Sequence, residues 1–124
     1  MSSKPCPIPG DPPVDCSLCE RLVSFRQQNQ AKHQEWFNGD VPTFGDPNAR
    51  LVIVGLAPGL KGANRTGRPF TGDFAGDLLY SSLLKFGFAK GNYCASSDDS
   101  LALVNCLITN AVRCVPPENK PRGI

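Results

Sequence analysis

The chain has 124 residues, enough for one domain and short for two. Its 12 Gly and 12 Pro stay below the share that marks a disordered or low-complexity chain, and its six Cys are too few for a disulfide scaffold. Thirteen Lys and Arg against 11 Asp and Glu leave a net charge of +2, too small to argue a nucleic-acid partner from long-range attraction, so such an argument must rest on a site.

Residues 1–15, MSSKPCPIPGDPPVD, hold five prolines and no apolar core of a secretory signal, and read as an extended arm. No apolar run approaches the roughly 18 residues that span a bilayer, so the protein is expected to be soluble, intracellular and cytoplasmic, without a membrane partner. There cysteines serve as metal ligands, catalytic groups or small buried hydrophobes more often than as disulfides.

From Cys16 to His33 the spacing of Leu18, Leu22 and Phe25 predicts a helix, with Asp15 as its cap. Gly39, Pro42, Gly45 and Pro47 then mark a loop. Leu51 to Val54 is a short, branched apolar run, the pattern of a strand covered on both faces of a mostly parallel sheet. A long connection, GLAPGLKGANRTGRPFTG, follows from Gly55 to Gly72 with five glycines and two prolines. Such a loop directly after a buried strand is where open α/β sheets place their ligands. Phe74, Leu78, Leu79, Leu83 and Phe86 fall at helical spacing, with Thr71 or Asp73 as cap and Gly87 as the stop. Residues 91–100 read as a polar loop, and Leu101 to Thr109 as a second apolar strand ending at Asn110.

Two constellations carry chemistry. Cys16 and Cys19 stand one helical turn apart, and Cys114 follows the second strand; such thiols suit one metal or one edge of an iron–sulfur cube. A lone CxxC is equally a redox dithiol, a zinc half-site or a pair of buried cysteines. Cys106 belongs to the core on its apolar surroundings, as does Cys94 on a weaker argument, and Cys6 lies in the arm. In the long loop Gly55, Gly59 and Gly62 make neither a dinucleotide fingerprint nor a P-loop. The loop does combine close backbone approach with Asn64, Arg65, Thr66, Arg68, an aromatic Phe70 and Asp73 at a helix mouth. That set suits a flat ring and an anion; equally, Phe70 is a core residue and Asp73 a plain cap.

LVIVGLAPGLKGANRTGRPFTGD followed by ITNAVRCVPPENKP resembles the uracil-DNA glycosylase superfamily, in particular its iron–sulfur type B (family 5) branch. The likeness runs from Cys16 to about Pro121. Type A relatives carry Glu after the first glycine of the loop, where this chain has Leu56, and loss of that polar residue is the type B mark. The resemblance implies a three-layer α/β/α fold with a central parallel sheet, and a DNA base-excision repair enzyme. Its reaction would be hydrolysis of the N-glycosidic bond of uracil, with hypoxanthine as a related deaminated base. It further implies that Phe70 stacks on the flipped base and Asn110 reads its edge. The backbone of Gly55, Leu56, Ala57, Pro58 and Gly59 would wall the pocket, with Asp73 as the catalytic carboxylate.

Cys16, Cys19 and Cys114 match three of the four ligands of the family's [4Fe-4S] cluster. The family's fourth cysteine and its histidine loop fall later than Ile124, so the expectation is the N-terminal portion of such a domain over residues 16–124, ending after the second strand. His33, in the first helix, does not take that histidine's role. DNA containing uracil is the expected partner of a monomer. The competing readings are a truncated, non-catalytic metal- or DNA-binding module of the same ancestry, and a redox dithiol protein, against which the Cys114 segment argues.

Overall fold

The structure is a computed structural model and describes residues 10–122. Helix α1 spans Glu20–Lys32, and Phe44–Gly45 (β1) and Leu51–Gly55 (β2) follow. The long loop carries a single helical turn, α2, at Ala63–Thr66, and leads into α3 at Phe74–Lys85. Short strands Ala89–Lys90 (β3) and Ala102–Leu103 (β4) precede β5 at Cys106–Asn110, and a 3-10 turn covers Pro117–Asn119. No helix of the described residues is long and apolar enough to cross a membrane.

The first helix starts later than its spacing predicts. Its N-cap is Cys19, with no side-chain cap, so Asp15 does not cap it; Cys16 lies ahead of the helix, at the end of a turn. Cys16 N–H closes that turn on Pro13 O at 3.1 Å. Leu18, ahead of the helix, is exposed to solvent, and the face of α1 that packs inward is polar: its buried residues are Arg26 and Asn29. The helix is therefore held by directed bonds, the Arg26–Asp40 ion pair at 2.9 Å foremost. Cys6 lies outside the described residues, and the described end of the arm is fastened to the body. Asp40 N–H donates to Val14 O at 2.9 Å, and Thr43 N–H to Asp11 Oδ2 at 2.9 Å.

The central sheet has the order β1-β5-β2. The β2 and β5 strands run parallel in register, from Leu51 opposite Cys106 to Gly55 opposite Asn110. Strand β1 is antiparallel to β5, which makes the sheet mixed where a parallel one is expected. One face, with Ile53, Cys106 and Ile108, packs on Tyr80 and Leu83 of α3. On the other, Val52 and Val54 of β2 are 50% and 63% exposed. The prediction of a strand covered on both faces therefore fails for the described residues: β2 is an edge strand with α3 behind only one of its faces.

The predicted second strand is two strands. Asn105 sits between β4 and β5 with φ +51°, a left-handed conformation that Asn tolerates better than branched residues do. Its side-chain and backbone oxygens accept from Arg50 N–H and Leu51 N–H at 2.8 and 3.4 Å. The chain thus turns from its pairing with β3 into its pairing with β2.

Helix α3 keeps its predicted span and punctuation. Asp73 caps it by accepting from Gly76 N–H. At the far end Gly87 has φ +83°, and Phe88 N–H bonds Leu83 O at 2.9 Å while Gly87 N–H reaches Leu84 O at 3.5 Å, a Schellman stop. Its buried face matches the predicted one in part: Leu79 packs on the core and Leu83 is buried, but Phe74 is 89% exposed, Leu78 and Phe86 also face solvent, and Gly76 and Tyr80 turn inward instead. Gly76 is there because a Cβ would collide with the Phe70 carbonyl. Alanine in place of a helical glycine ordinarily stabilises by about 1 kcal/mol; here Gly76→Ala is expected to destabilise by about 1–3 kcal/mol through overpacking, read as a lower urea midpoint.

Candidate active site

The carboxyl ends of the two parallel strands bring Gly55 and Asn110 side by side. An added Cβ on Gly55 would meet the Asn110 Oδ1 atom, and would lie 2.8 Å from Phe70 Cζ and 2.9 Å from Cε2. The glycine, the amide and the aromatic ring therefore form one contact cluster, and glycine is required for their approach. The parallel pairing continues beyond the strands, with Ala111 N–H donating to Gly55 O at 2.8 Å and Val112 N–H to Leu56 O at 3.0 Å. Asn110 is buried, yet its side-chain amide makes no hydrogen bond to another of the described residues, which leaves its donors and acceptor for a ligand.

The rest of the long loop is folded on itself. Gly62 N–H and Asn64 N–H both donate to Gly59 O, at 3.2 and 3.0 Å. Leu56 is exposed, Ala57 half-buried and Pro58 buried. Asp73 Oδ1 accepts from Gly76 N–H at 3.0 Å, so the carboxylate does cap the helix. Its Oδ2 stands over the turn: a Cβ on Gly62 would lie 2.7 Å from it, and one on Gly59 3.8 Å. One oxygen is thus spent on the helix and the other faces the loop that starts at Gly55. Asn64 has no exposed surface and donates to Asn38 Oδ1 at 3.1 Å, which ties the loop to the segment after α1.

Phe70 takes φ +55°, an uncommon conformation for an aromatic residue and a cost of order 1–3 kcal/mol where the surroundings enforce it. Its neighbours enforce it. Arg68, Pro69 and Thr71 are buried on either side. The Arg68 guanidinium donates Nη1 to Asp99 Oδ1 at 2.7 Å and Nη2 to Asp99 Oδ2 at 2.9 Å, while its Nε donates to Thr71 Oγ1 at 2.8 Å. The Tyr80 hydroxyl donates to Pro69 O, and burial pushes the Tyr80 phenol up to about 12.

Arg113 and Asp11 brace the Asn110 end. Arg113 Nε donates to Asn110 O at 2.9 Å and its Nη1 to Asp11 Oδ1 at 2.6 Å. Burial acts to raise the Asp11 carboxyl, but hydrogen bonds from Thr43 and Arg113 outweigh it, and the net shift is downward. A carboxylate lowered on folding stabilises above its ordinary pKa of about 4 and loses that contribution as the pH falls through its folded value. Asp11→Asn is therefore expected to lower the melting temperature at neutral pH and to flatten its decline below about pH 4.

Cys16, Cys19 and Cys114 line one concavity of about 400 Å³, together with Leu22 and Arg113. Cys114 is buried, its thiol donating to Asp40 Oδ1 at 2.9 Å and accepting from Arg26 Nη1 at 3.5 Å. Burial first, and the Asp40 carboxylate second, push the Cys114 thiol up to about 12. As placed, no three His, Cys, Asp or Glu side chains among the described residues stand close enough to share a metal ion. Cys106 is in the core, as expected, whereas Cys94 is exposed. His33 stacks on Trp36 with ring centroids 3.6 Å apart.

Asp99, Tyr80, Gly76, Arg113 and Asp11 support the site and were not singled out from the sequence. Only Gly76 left a signal there, since glycine inside a helix is disfavoured unless something approaches it closely.

The glycine Gly55 and amide Asn110 at the strand ends, the Phe70 ring and the Asp73 carboxylate all lie within the two segments that resemble the glycosylases. The family model for the uracil DNA glycosylase superfamily matches residues 42–123. The chain belongs to that superfamily. Within it, the chain is 46% identical over 112 residues to the type-5 uracil-DNA glycosylase of Thermus thermophilus, covering 86% of this chain and 50% of that protein. It is 42% identical to the type-5 enzyme of Pyrobaculum aerophilum, over 87% of this chain and 50% of that protein. A type-4 uracil-DNA glycosylase of the same organism matches at 36% over 80 residues, 64% of this chain and 33% of the other. The chain spans about half the length of the type-5 relatives it matches.

Proposed function

We propose that the protein removes uracil from DNA by hydrolysing the N-glycosidic bond, acting as a monomer on DNA that contains deaminated bases. The single observation that carries this reading is the convergence of Gly55, Phe70 and Asn110 at the ends of the two parallel strands. A flipped base needs a ring to stack on and donors and acceptors for its edge. Phe70 supplies the ring, the Asn110 amide reads the edge, and the backbone from Gly55 to Gly59 walls the pocket.

Bond cleavage leaves a cationic sugar and an anionic base, so a carboxylate near the sugar stabilises the transition state or orients the attacking water. Asp73 takes that role through Oδ2, the oxygen not spent on the helix cap. Hypoxanthine joins the substrate range in this reading: with the apolar Leu56 at the pocket wall, no side chain there rejects a larger base that presents the same keto oxygen.

Cys16, Cys19 and Cys114 are proposed to hold a [4Fe-4S] cluster; the concavity they line together supports it, and binding would require the three thiols to draw closer and Cys114 to give up its proton and its bond to Asp40. The cluster would tie the segment before α1 to the segment after β5, a structural link and not a reacting group. The three-layer arrangement is likewise proposed, with a third layer over the exposed Val52 and Val54 face of the sheet.

The test is release of free uracil from single- and double-stranded oligonucleotides by the 124-residue chain, with visible absorbance measured on the same sample. Release and colour together are expected. Colour without release removes the catalytic reading, and release without colour removes the cluster. A colourless, inactive protein that still binds DNA would be the non-catalytic module.

A further inference from the structure

The loop at residues 91–100 carries none of the recognised motifs, yet it supplies the counter-ion for the loop that holds Phe70. Both partners of the Arg68–Asp99 pair are almost fully buried, with side-chain exposures of 4% and 1%. Asp99 accepts two further bonds, from Cys94 N–H at 2.8 Å and Leu101 N–H at 3.1 Å, so its own loop is wound around the carboxylate. The Arg68 guanidinium lies 5.0 Å from the Phe44 ring centroid, 5.4 Å from Tyr80 and 5.7 Å from Tyr93, an aromatic box that fixes its plane. A bidentate fork inside such a box allows little rotation.

Every residue next to Phe70 is fastened by this unit. Arg68 is held by Asp99, Pro69 O by the Tyr80 hydroxyl and Thr71 Oγ1 by Arg68 Nε. Thr66 Oγ1 adds a bond to Thr71 O at 2.8 Å. The one residue between the anchors has φ +55° and a ring pressed on Gly55. A peptide free to relax would leave that conformation, and the ring would leave the Asn110 amide.

We propose that Asp99, through its buried pair with Arg68 and together with the Tyr80 hydroxyl, is a positioning residue that holds the Phe70 ring against Gly55 and Asn110. The inference rests on the proposed role of Phe70 as the stacking ring for a flipped base. Its consequence is that the loop at 91–100, which carries no group of its own into the site, sets how well a base is held.

Tyr80→Phe is the milder test, since it keeps the ring and deletes only the hydroxyl bond to Pro69 O; Asp99→Asn is the stronger one. A misplacement of about 1 Å at a reacting centre costs on the order of a hundredfold in rate. Tyr80→Phe is expected to lower kcat about tenfold at nearly constant KM, and Asp99→Asn about a hundredfold. In a double-mutant cycle, Phe70→Ala combined with Tyr80→Phe is expected to be no slower than Phe70→Ala alone, because a positioning residue has nothing left to position. Losses that multiply would overturn the proposal and leave the pair a fold anchor.

A second readout needs no substrate: the side-chain amide resonances of Asn110, which the Phe70 ring current shifts, are expected to move in Tyr80→Phe toward their positions in Phe70→Ala. Unmoved resonances in a folded Tyr80→Phe protein would also overturn it. If the unmodified chain releases no uracil, the activity reading fails by itself, and the resonances still decide whether the ring is positioned by this unit.

Discussion

Asp73→Asn is expected to lower uracil release by about two to three orders of magnitude while leaving the melting temperature almost unchanged. The two oxygens of Asp73 have separate duties: Oδ1 accepts from Gly76 N–H at 3.0 Å, and Oδ2 faces the Gly59–Gly62 turn. Asparagine is as good an N-cap as aspartate, because its side-chain oxygen accepts the same bond. The substitution therefore keeps the helix start and removes the charge. Asp73→Ala removes both and is expected to cost about 1 kcal/mol of stability in addition to the rate. Single-turnover release and thermal unfolding on the three proteins separate the duties. An Asn variant with the unaltered rate would leave Asp73 a cap and nothing more.

Gly55→Ala is expected to reduce release by at least about a hundredfold, a large loss for a single added methyl. The new methyl would meet Asn110 Oδ1 and lie 2.8 Å from Phe70 Cζ, inside van der Waals contact, so the amide and the ring cannot both stay. Overpacking of this kind costs about 1–3 kcal/mol, which an equilibrium urea titration would read. Gly59→Ala is the informative comparison. Its methyl has room, with Asp73 Oδ2 at 3.8 Å and Gly62 N at 3.9 Å as nearest neighbours. A smaller loss is expected there, and equal losses at the two glycines would show that the loop backbone, rather than the cluster around Gly55, is what the substitutions disturb.

Much of this site was legible in the chain because short motifs act locally. A strand followed by a glycine-rich loop, an aromatic before Thr71 and Gly72, a capping carboxylate and a strand-ending Asn are each readable within a few residues. The structure places Gly55, Phe70 and Asn110 in one cluster. The span of α3 was readable for the same reason, since Asp73 and Gly87 mark its ends through bonds to residues three to five positions away.

The face α3 turns inward was only partly legible. Apolar spacing marked Leu79 and Leu83, which do pack on the core, but also Phe74, Leu78 and Phe86, which do not; it missed Gly76 and Tyr80, which turn inward where the inner face accommodates the Phe70 carbonyl and gives Tyr80 reach to Pro69 O. The first helix misled for a related reason. It packs through Arg26 and Asn29, and no apolar periodicity records an ion pair to Asp40.

By itself the sequence determined the family, the order of α1, β2, α3 and β5, and the candidate residues Gly55, Phe70, Asp73, Asn110, Cys16, Cys19 and Cys114. The family and the roles of those residues rest on the resemblance of short motifs, and the elements on what a turn, a cap or a strand end requires of the residues within it. Tertiary structure decided which partners hold them. Asp99 pairs with Arg68 across 31 positions and Asp11 with Arg113 across 102. Nothing in either local sequence marks those acidic residues from other polar surface groups. Their roles follow from burial, which removes water as the competing partner and makes each buried charge depend on the counter-ion that the fold delivers to it.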